Sequence, residues 1–474
     1  MKKTGLLIFL FSLLVTGLAP GQAGADWNYT FEPKVSVREE YDSNIYFTEE
    51  NEEDDFNTQV GVIFPFKAKT ETTDLSLTYR TSYFKYGSNS DADFGEHFAD
   101  LRIDHGLTRR LRVSLADAFS ITEDSDRVLR SESDVGESGI LVDRDKRLGN
   151  RVTGTVSYAL TPRAALSLSA NNAIYRYDFD DLYDSDTNGG SVTFNYTVSA
   201  KNSVFTSVSY SKGDYERDDW SLNQNIRYTK DPLSGDDISF FEDEFEESEY
   251  YGVYAGWTHH YSPTTTLSVY AGWRKTEDTE QDVLLVAGAG DVLTPNTSGL
   301  IPGTTVTDLV SGEEGTVFGT SPTVVTFENT QLVTQENTET NRGLVYNLTF
   351  NKEFRASRLS LAFSQDASTR SSGLGGTRET QNYTAKYDHR LTSRLSAFVK
   401  GRYYKNKSEG DFEDDYDTWG AGAGLKFAIT RNLSSRLTYD YTEQERDRAG
   451  SGDTSTIDRN LVLLSFGYTW YVMR

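Results

Sequence analysis

The chain has 474 residues, a formal net charge of −25 and no cysteine, and its 29 tyrosines and 26 phenylalanines far outnumber its 2 methionines and 9 prolines. The negative charge argues against nucleic acid as a partner, because nucleic-acid binding needs a basic surface. The absence of cysteine excludes disulfides, thiolate metal sites and a lipid-attachment cysteine. Many aromatic and small polar residues favour β-strands with one apolar and one wet face.

The first 25 residues have the features of a secretory signal peptide. Two lysines precede an apolar run over residues 5–18, and the segment ends Ala23-Gly24-Ala25. The run is shorter than the roughly 20 residues of a membrane-spanning helix, so an uncleaved anchor helix is the less favoured alternative. We expect cleavage before Asp26. The mature chain, 26–474, then has 449 residues and a net charge of −27, because two lysines are lost.

Alternation of apolar and polar residues with a period of two recurs from residue 29 to residue 470. Over 192–198 every second residue is aromatic or β-branched, and the segments 267–273, 359–363 and 419–427 alternate in the same way. Such alternation predicts strands with one apolar face. We count eighteen alternating segments, with sixteen or twenty strands as alternatives.

The connections between these segments are of two kinds. Short turns with similar chemistry, such as Leu-Thr-Ser-Arg and Ile-Thr-Arg-Asn, are predicted within 105–111, 158–164, 261–265, 389–395 and 428–433. Long acidic loops are predicted at 49–55, 123–146, 214–247, 277–338 and 404–417. Tight turns at one rim and long loops at the other are typical of bacterial outer-membrane barrels. The alternative is a soluble secreted β-helix or multi-sandwich protein.

The predicted fold is therefore all-β, a transmembrane antiparallel up-and-down β-barrel of residues 26–474. Closure pairs every backbone group, which a sheet in hydrocarbon requires. We expect an integral protein of the cell outer membrane, in contact with its lipids and lipopolysaccharide. The last strand has apolar residues at every second position from Val462 to Trp470. It resembles the segment read by the barrel-assembly machinery, although the chain continues to Arg474.

The face opposite the apolar one is predicted to line a water-filled lumen, because barrels of about 16–18 strands enclose a channel. This face has five acidic residues, at positions 32, 100, 104, 388 and 440, and eleven cationic residues. The cations are Lys34, Arg38, Arg80, Arg102, Arg112, Arg274, Lys386, Lys400, Arg402, Lys426 and Arg436. Fixed charges select the ions that enter a pore, so we expect a lumen that favours anionic solutes or acidic sugar units. The alternative is that acidic loops fold inward and pair with these cations.

Four aromatic side chains are also predicted on the lumen face: Phe84, Tyr270, Phe398 and Tyr404. Aromatic rings stack on the C–H faces of sugars, so such residues suit a polysaccharide track. The plainer alternative places aromatic residues near strand ends in the girdles at the membrane interfaces.

The segment 277–338 has 62 residues with ten acids and no lysine or arginine. Loops of this length are usually functional or disordered. We predict that it forms a constriction or lid over the pore, and that its deletion raises conductance. Its apolar pieces form another hairpin in the alternative count of twenty strands.

Residues 184–189 resemble the first half of a calcium loop, with Asp184, Asp186 and Asn188 as candidate ligands. The full pattern needs glutamate at its twelfth position, where this chain has Asn195. The other acidic loops are expected to bind calcium weakly and to bridge lipopolysaccharide phosphates. No other cofactor is expected.

Catalysis is not predicted. The sequence contains no Gly-x-Ser-x-Gly elbow, His-Glu-x-x-His pair or phosphate-binding glycine loop. Four of its five histidines, at positions 105, 259, 260 and 389, come just before predicted turns.

One local motif resembles a known family. Residues 37–46 read Val-Arg-Glu-Glu-Tyr-Asp-Ser-Asn-Ile-Tyr, a strand that runs into an acidic loop. This resembles the putative outer-membrane β-barrel porins found with exopolysaccharide and capsule systems. The resemblance implies export of a secreted polysaccharide, with periplasmic export components and inner-membrane polymerising machinery as partners. A general diffusion or uptake porin and a surface-structural or adhesive barrel are the alternatives.

Overall fold

The computed structural model describes residues 27–49, 51–123, 146–178, 184–216, 227–229, 239–241, 243–286, 305–307, 314–316, 331–368, 378–408, 415–447 and 454–472. The predicted signal peptide lies outside the described residues, and so does most of the segment 287–330.

Eighteen antiparallel strands form one closed sheet, in which consecutive strands pair and the last strand pairs with the first. In chain order they are β1 (Asn28–Phe31 and Lys34–Asp42), β2 (Asp55–Lys69), β3 (Thr73–Tyr86), β4 (Phe94–Gly106), β5 (Leu111–Thr122), β6 (Arg147–Thr161), β7 (Ala164–Tyr177), β8 (Asp184–Ser199), β9 (Asn202–Glu216), β10 (Asp243–Ser262), β11 (Thr265–Val286), β12 (Gln331–Glu353), β13 (Ser357–Ser368), β14 (Arg378–Arg390), β15 (Leu395–Ser408), β16 (Asp415–Ala428), β17 (Leu433–Asp447) and β18 (Thr454–Thr469). The two segments of β1 count as one strand because both pair with β2. The predicted eighteen-stranded barrel is confirmed.

Few other elements occur in the described ranges. Ser90–Ala92 forms one 3-10 turn. Arg227–Thr229 pairs with Ser239–Phe241, and Thr305–Thr307 pairs with Glu314–Thr316, in two small sheets apart from the barrel. Among these residues the alternative counts of sixteen and twenty strands are therefore wrong. No helix in the described part of the chain is long and apolar enough to cross a membrane.

The two ends of the barrel differ in their connections. At the turn end, connections of two to four residues join the strands, and the five predicted turns lie there. In four of them a threonine hydroxyl accepts hydrogen bonds from backbone amides two or three residues later, for example from Leu395 N to Thr392 Oγ1 at 3.0 Å. This side-chain turn explains why Leu-Thr or Ile-Thr recurs there.

The loop end has the longer connections, from six residues upward. The predicted loop 277–338 needs a correction here. Glu277 pairs with Thr340 and Val286 pairs with Gln331, so 277–286 and 331–338 continue β11 and β12 as strand. Ladder hydrogen bonds with the partner strand hold these largely polar residues extended. The predicted lid over the remaining residues stays a prediction.

The outer surface of the barrel is an apolar belt. Large apolar side chains at alternate positions are exposed on it, as at Val192, Val208 and Leu168 on three adjacent strands. Aromatic contacts run around its loop-end margin, as from Tyr383 through Tyr403 to Trp419. Side chains at the intervening positions therefore face the lumen.

The seam between β1 and β18 closes the barrel. Its ladder runs from Lys34 opposite Thr469 to Asp42 opposite Leu461. At the loop end Arg459 of β18 donates from Nε to Asp42 Oδ1 at 2.8 Å and also from its terminal nitrogen to Oδ2. Both side chains are almost fully buried, with 4% and 0% exposure. The pair joins residues 417 positions apart, so only the closed ring forms it.

Arginine on the apolar outer face should destabilise the barrel far more than arginine in the lumen. We expect Val192→Arg to lower the free energy of unfolding in a lipid bilayer by about 2–4 kcal/mol, because in the membrane that the sequence predicts the charge would face hydrocarbon. The neighbouring Thr193→Arg, which faces water in the lumen, is the control and should cost under about 1 kcal/mol. Urea unfolding in lipid vesicles measures both values, and equal losses would contradict the assigned faces.

The seam ion pair gives a second prediction. Asp42→Asn should cost about 3–5 kcal/mol, because it leaves Arg459 buried without its charged partner. The control is Asp74→Asn, which breaks the exposed 3.0 Å contact with Lys69 and should cost less than about 1 kcal/mol. The same unfolding measurement applies. A loss no greater than that of the control would show that the seam pair does not stabilise closure.

Candidate functional site

Six cations line one cavity of about 470 Å³ at the turn end of the lumen. Four of them are predicted lumen residues: Lys34, Arg38, Lys426 and Arg436. Its other two cations are Arg390 and Arg394. The remaining lining residues, all described in the structure, are serine, threonine and apolar residues and include no carboxylate. We call this site the cationic cavity.

Strand register explains why these charges meet. One ladder row runs across six strands, from Arg38 through Ser465, Arg436, Lys426 and Ser396 to Arg390. Residues in such a row have side chains on the same face, and directly paired Cβ atoms lie about 5 Å apart. Four cations from four strands are thus held on one patch of the inner wall, with two serines between them.

An aromatic ring supports the cavity wall. Phe398 is nearly buried, and the charged groups of Lys426 and Arg436 lie 5.4 and 5.8 Å from its ring centroid. Cations are attracted to the face of such a ring. Phe398 therefore holds two of the cavity's charges in place and offers little surface for stacking.

Glycines on β16 make room for the side chains of β15. A Cβ at Gly424 would lie 2.6 Å from Phe398 Cε1, and one at Gly422 would overlap the Asp440 carboxylate and lie 2.6 Å from Lys400 Cε. The three inner glycines of this strand, including Gly420, let Phe398, Lys400 and Arg402 lie flat across the wall.

Several predicted cations lie away from the cavity and contact polar groups of the wall itself. The ion pairs are Arg80–Asp100 at 3.3 Å, Arg102–Asp104 at 2.7 Å, Lys400–Asp440 at 2.7 Å and Arg274–Glu379 at 3.3 Å. Arg402 donates to Thr442 Oγ1 at 3.0 Å. All four carboxylates belong to strands of the barrel. The alternative prediction, that inward-folded acidic loops pair with the lumen cations, therefore does not account for these ion pairs.

The other predicted lumen residues are spread over the wall. Arg112 is exposed near the turn end, opposite Gly106, and Lys386 lies opposite Lys400. Tyr270 contacts Phe205 and Tyr254 edge to face. Phe84 and Tyr404 are buried. These burials argue against Phe84, Phe398 and Tyr404 as an open track for sugar rings, because their faces are covered.

The calcium-loop interpretation of 184–189 needs a correction. These residues are strand, so Asp184, Asp186 and Asn188 follow one face of β8 and do not converge. Asp184 forms a 3.1 Å ion pair with Arg176, and Asn172 donates to Asp186 and Asn188 at 2.8 and 3.0 Å. Pairing with β7 and β9 holds this segment extended, which prevents the turn that a calcium loop needs. Across the described segments no group of three acidic or histidine side chains is placed to hold a metal ion.

Two of the cavity's cations, Arg390 and Arg394, are not among the residues predicted from the sequence. Arg390 continues the alternation of Lys386 and Asp388 on β14, so the same period of two identifies it. Arg394 lies in the turn after β14, where alternation carries no information, and only the fold places it at the cavity.

The fold and lumen together define a closed antiparallel β-barrel with an apolar outside and a charged inside. The outer membrane protein OpdK of Pseudomonas aeruginosa is similar in structure, at 10% identity and a TM-score of 0.40 over 93% of this chain and 99% of that one. OccK2 (OpdF) of the same species, in complex with glucuronate, has 10% identity and a TM-score of 0.42 over 95% and 99%. The BenF-like porin of Pseudomonas fluorescens Pf-5 has 9% identity and a TM-score of 0.39 over 93% and 99%.

These likenesses are too low to transfer a solute or a mechanism to this chain. No protein-family model matches the chain, and no curated protein sequence matches it either. The resemblance of residues 37–46 therefore remains an interpretation of a short motif.

A methyl group added at Gly422 tests the packing of the lumen wall. Gly422→Ala should cost about 1–3 kcal/mol, because the new Cβ overlaps the Asp440 carboxylate and displaces the pair with Lys400. The control is Gly401→Ala on β15, where a Cβ meets nothing within 4 Å and the change should stay within about 0.5 kcal/mol. Urea unfolding in vesicles compares the two variants. Equal stability would show that the wall is loosely packed there.

Proposed function

We propose that the chain is an outer-membrane porin through which small anionic solutes pass. The membrane assignment is supported by the closed ladder and the apolar belt, because a sheet survives in hydrocarbon only when no edge is left open. In water the same belt would expose many large apolar side chains from all sides of the barrel, far beyond the patch that a soluble monomer tolerates.

The observation that carries the anionic preference is the cationic cavity. Six positive charges and no carboxylate line it, in a chain whose net charge is −25. A cleft lined by charges of one sign raises the local concentration of the opposite ion. Since short turns mark the periplasmic rim of such barrels, the cavity would lie at the periplasmic side of the pore.

Export of exopolysaccharide is the weaker alternative. It derives from the motif at 37–46, and the buried faces of Phe84, Phe398 and Tyr404 do not support it. The adhesive barrel has no described feature in its favour. A diffusion or uptake porin needs only the barrel and its charged lumen.

Ion selectivity in planar bilayers tests the proposal. The wild-type barrel under a potassium chloride gradient should give a reversal potential of the sign expected for chloride preference. The triple variant Lys34→Gln/Arg38→Gln/Arg436→Gln should lower the chloride-to-potassium permeability ratio by about threefold or more, because it removes half of the cavity's charge. Low salt is preferred, since the screening length is about 10 Å at 0.1 M.

The matched control is Arg80→Gln/Arg102→Gln, which removes cations that already pair with Asp100 and Asp104. It should change the permeability ratio much less than the triple variant. Cation preference in the wild type would overturn the proposal, and so would an equal effect of the two sets of substitutions.

A further inference from the structure

The first loop-end connection contains a segment that folds inward. We call Ser43–Glu49, which directly follows β1, the inner strap. Ile45 of the strap packs against Phe84, Tyr86 and Phe94 in one buried cluster. Phe84 faces the lumen, because its neighbour Tyr83 is exposed on the outer surface. The strap therefore lies against the lumen side of the wall and not above the rim.

Hydrogen bonds across the barrel seam hold the start of the strap. Ser43 N donates to Asn460 O at 3.1 Å, and Asn460 N donates to Ser43 Oγ at 2.8 Å. The fully buried Asn44 donates from Nδ2 to Thr48 O at 2.8 Å and to Asp458 O at 3.4 Å, and its Oδ1 accepts from Thr48 N at 3.0 Å. With the buried Asp42–Arg459 pair, these contacts tie the Asp-Ser-Asn sequence to β18.

The two large apolar side chains of the strap are buried. Ile45 and Phe47 are each only 4% exposed. Phe47 has a φ of 57°, a left-handed conformation that phenylalanine rarely adopts. Such strain persists only where surrounding contacts enforce it, which indicates that the turn placing this ring inside is held firmly.

The connection between β3 and β4, which is also at the loop end, contacts the strap. Tyr46 donates to Asp91 Oδ2 at 3.1 Å, and Ala92 of the 3-10 turn joins the same buried cluster. Asp55, at the start of β2, accepts from the backbone amides of Ser88 and Asn89 at 2.9 and 3.0 Å. Two connections thus form a second layer on the inner wall of β1 to β4.

We propose that the inner strap forms a fixed constriction at the loop end of the pore. This rests on the proposed function, since only a conducting barrel has a conductance to restrict. It assigns a role to the inner strap, whose residues contact the seam strand β18, the buried cluster around Phe84 and the connection between β3 and β4. This segment differs from residues 277–338, for which the sequence predicts a constriction or lid.

Single-channel conductance in planar bilayers tests the strap. Phe47→Gly removes the ring and keeps the left-handed turn, which glycine adopts freely, and Ile45→Ala removes the group that packs on Phe84. Each variant should raise conductance by about 1.5-fold or more, because a looser strap widens the passage. The control is Phe56→Ala on the neighbouring strand, whose ring is exposed on the outer surface. Its conductance should equal that of the wild type.

Thiol labelling gives a second readout in a chain that has no cysteine of its own. In Tyr46→Cys, at a strap position that is only partly buried, a charged methanethiosulfonate reagent should reduce the current stepwise, whereas Phe56→Cys should be insensitive. A gel-mobility difference between boiled and unboiled samples shows that each variant has folded.

The outcomes separate the two proposals. If the wild type prefers anions but the strap variants conduct like it and labelling leaves the current unchanged, the strap proposal is overturned and the porin stands. If the wild type prefers cations while the strap variants still raise conductance, the anionic preference fails and the strap stands. A folded barrel that carries no current would overturn both.

Discussion

Closure of the backbone hydrogen-bond ladder sets the position and orientation of every strand in this barrel. In hydrocarbon an open strand edge costs several kcal/mol for each backbone N–H or C=O group without a hydrogen-bond partner. The first strand, β1, must therefore pair with the last strand, β18. Once the ring is closed, each strand has one face toward the outside of the barrel and one toward the lumen. The strict alternation of apolar and polar residues follows from this requirement, whereas the extensions of β11 and β12 keep the strand pairing through a largely polar sequence.

Closure also decides which charges meet. Arg38 and Arg436 are almost 400 positions apart, yet they occupy one ladder row with Ser465 between them. Elsewhere the wall neutralises itself, as at Lys400 and Asp440, with glycines beneath the long side chains. The lumen is therefore not uniformly basic. Its positive charge is concentrated at the turn end, where the cavity contains no opposing carboxylate among its described lining residues.

At the loop end the inner wall is built differently. There the inner wall is covered by chain, because Ile45 packs against Phe84 and its neighbours and Phe47 of the same segment is also buried. The Tyr-Asp-Ser-Asn-Ile motif looks like the end of a strand entering a solvated loop. Its acidic surroundings favour that interpretation, but the buried contacts of Asp42 and Asn44 with β18 hold it inside. A local pattern contains no information about a partner more than 400 residues away.

The strand count, the assignment of faces and the asymmetry between short turns and long connections can be predicted from the amino-acid sequence. Each of these depends on a period of two or on turn chemistry, which adjacent residues specify. The three-dimensional structure was needed to show that six cations share a cavity and that Phe398 lies beneath two of them. It was also needed to show that 184–189 is strand and that Asp42 closes the seam with Arg459. These depend on register around a closed ring, where the neighbours of a residue are set by the pairing of distant strands.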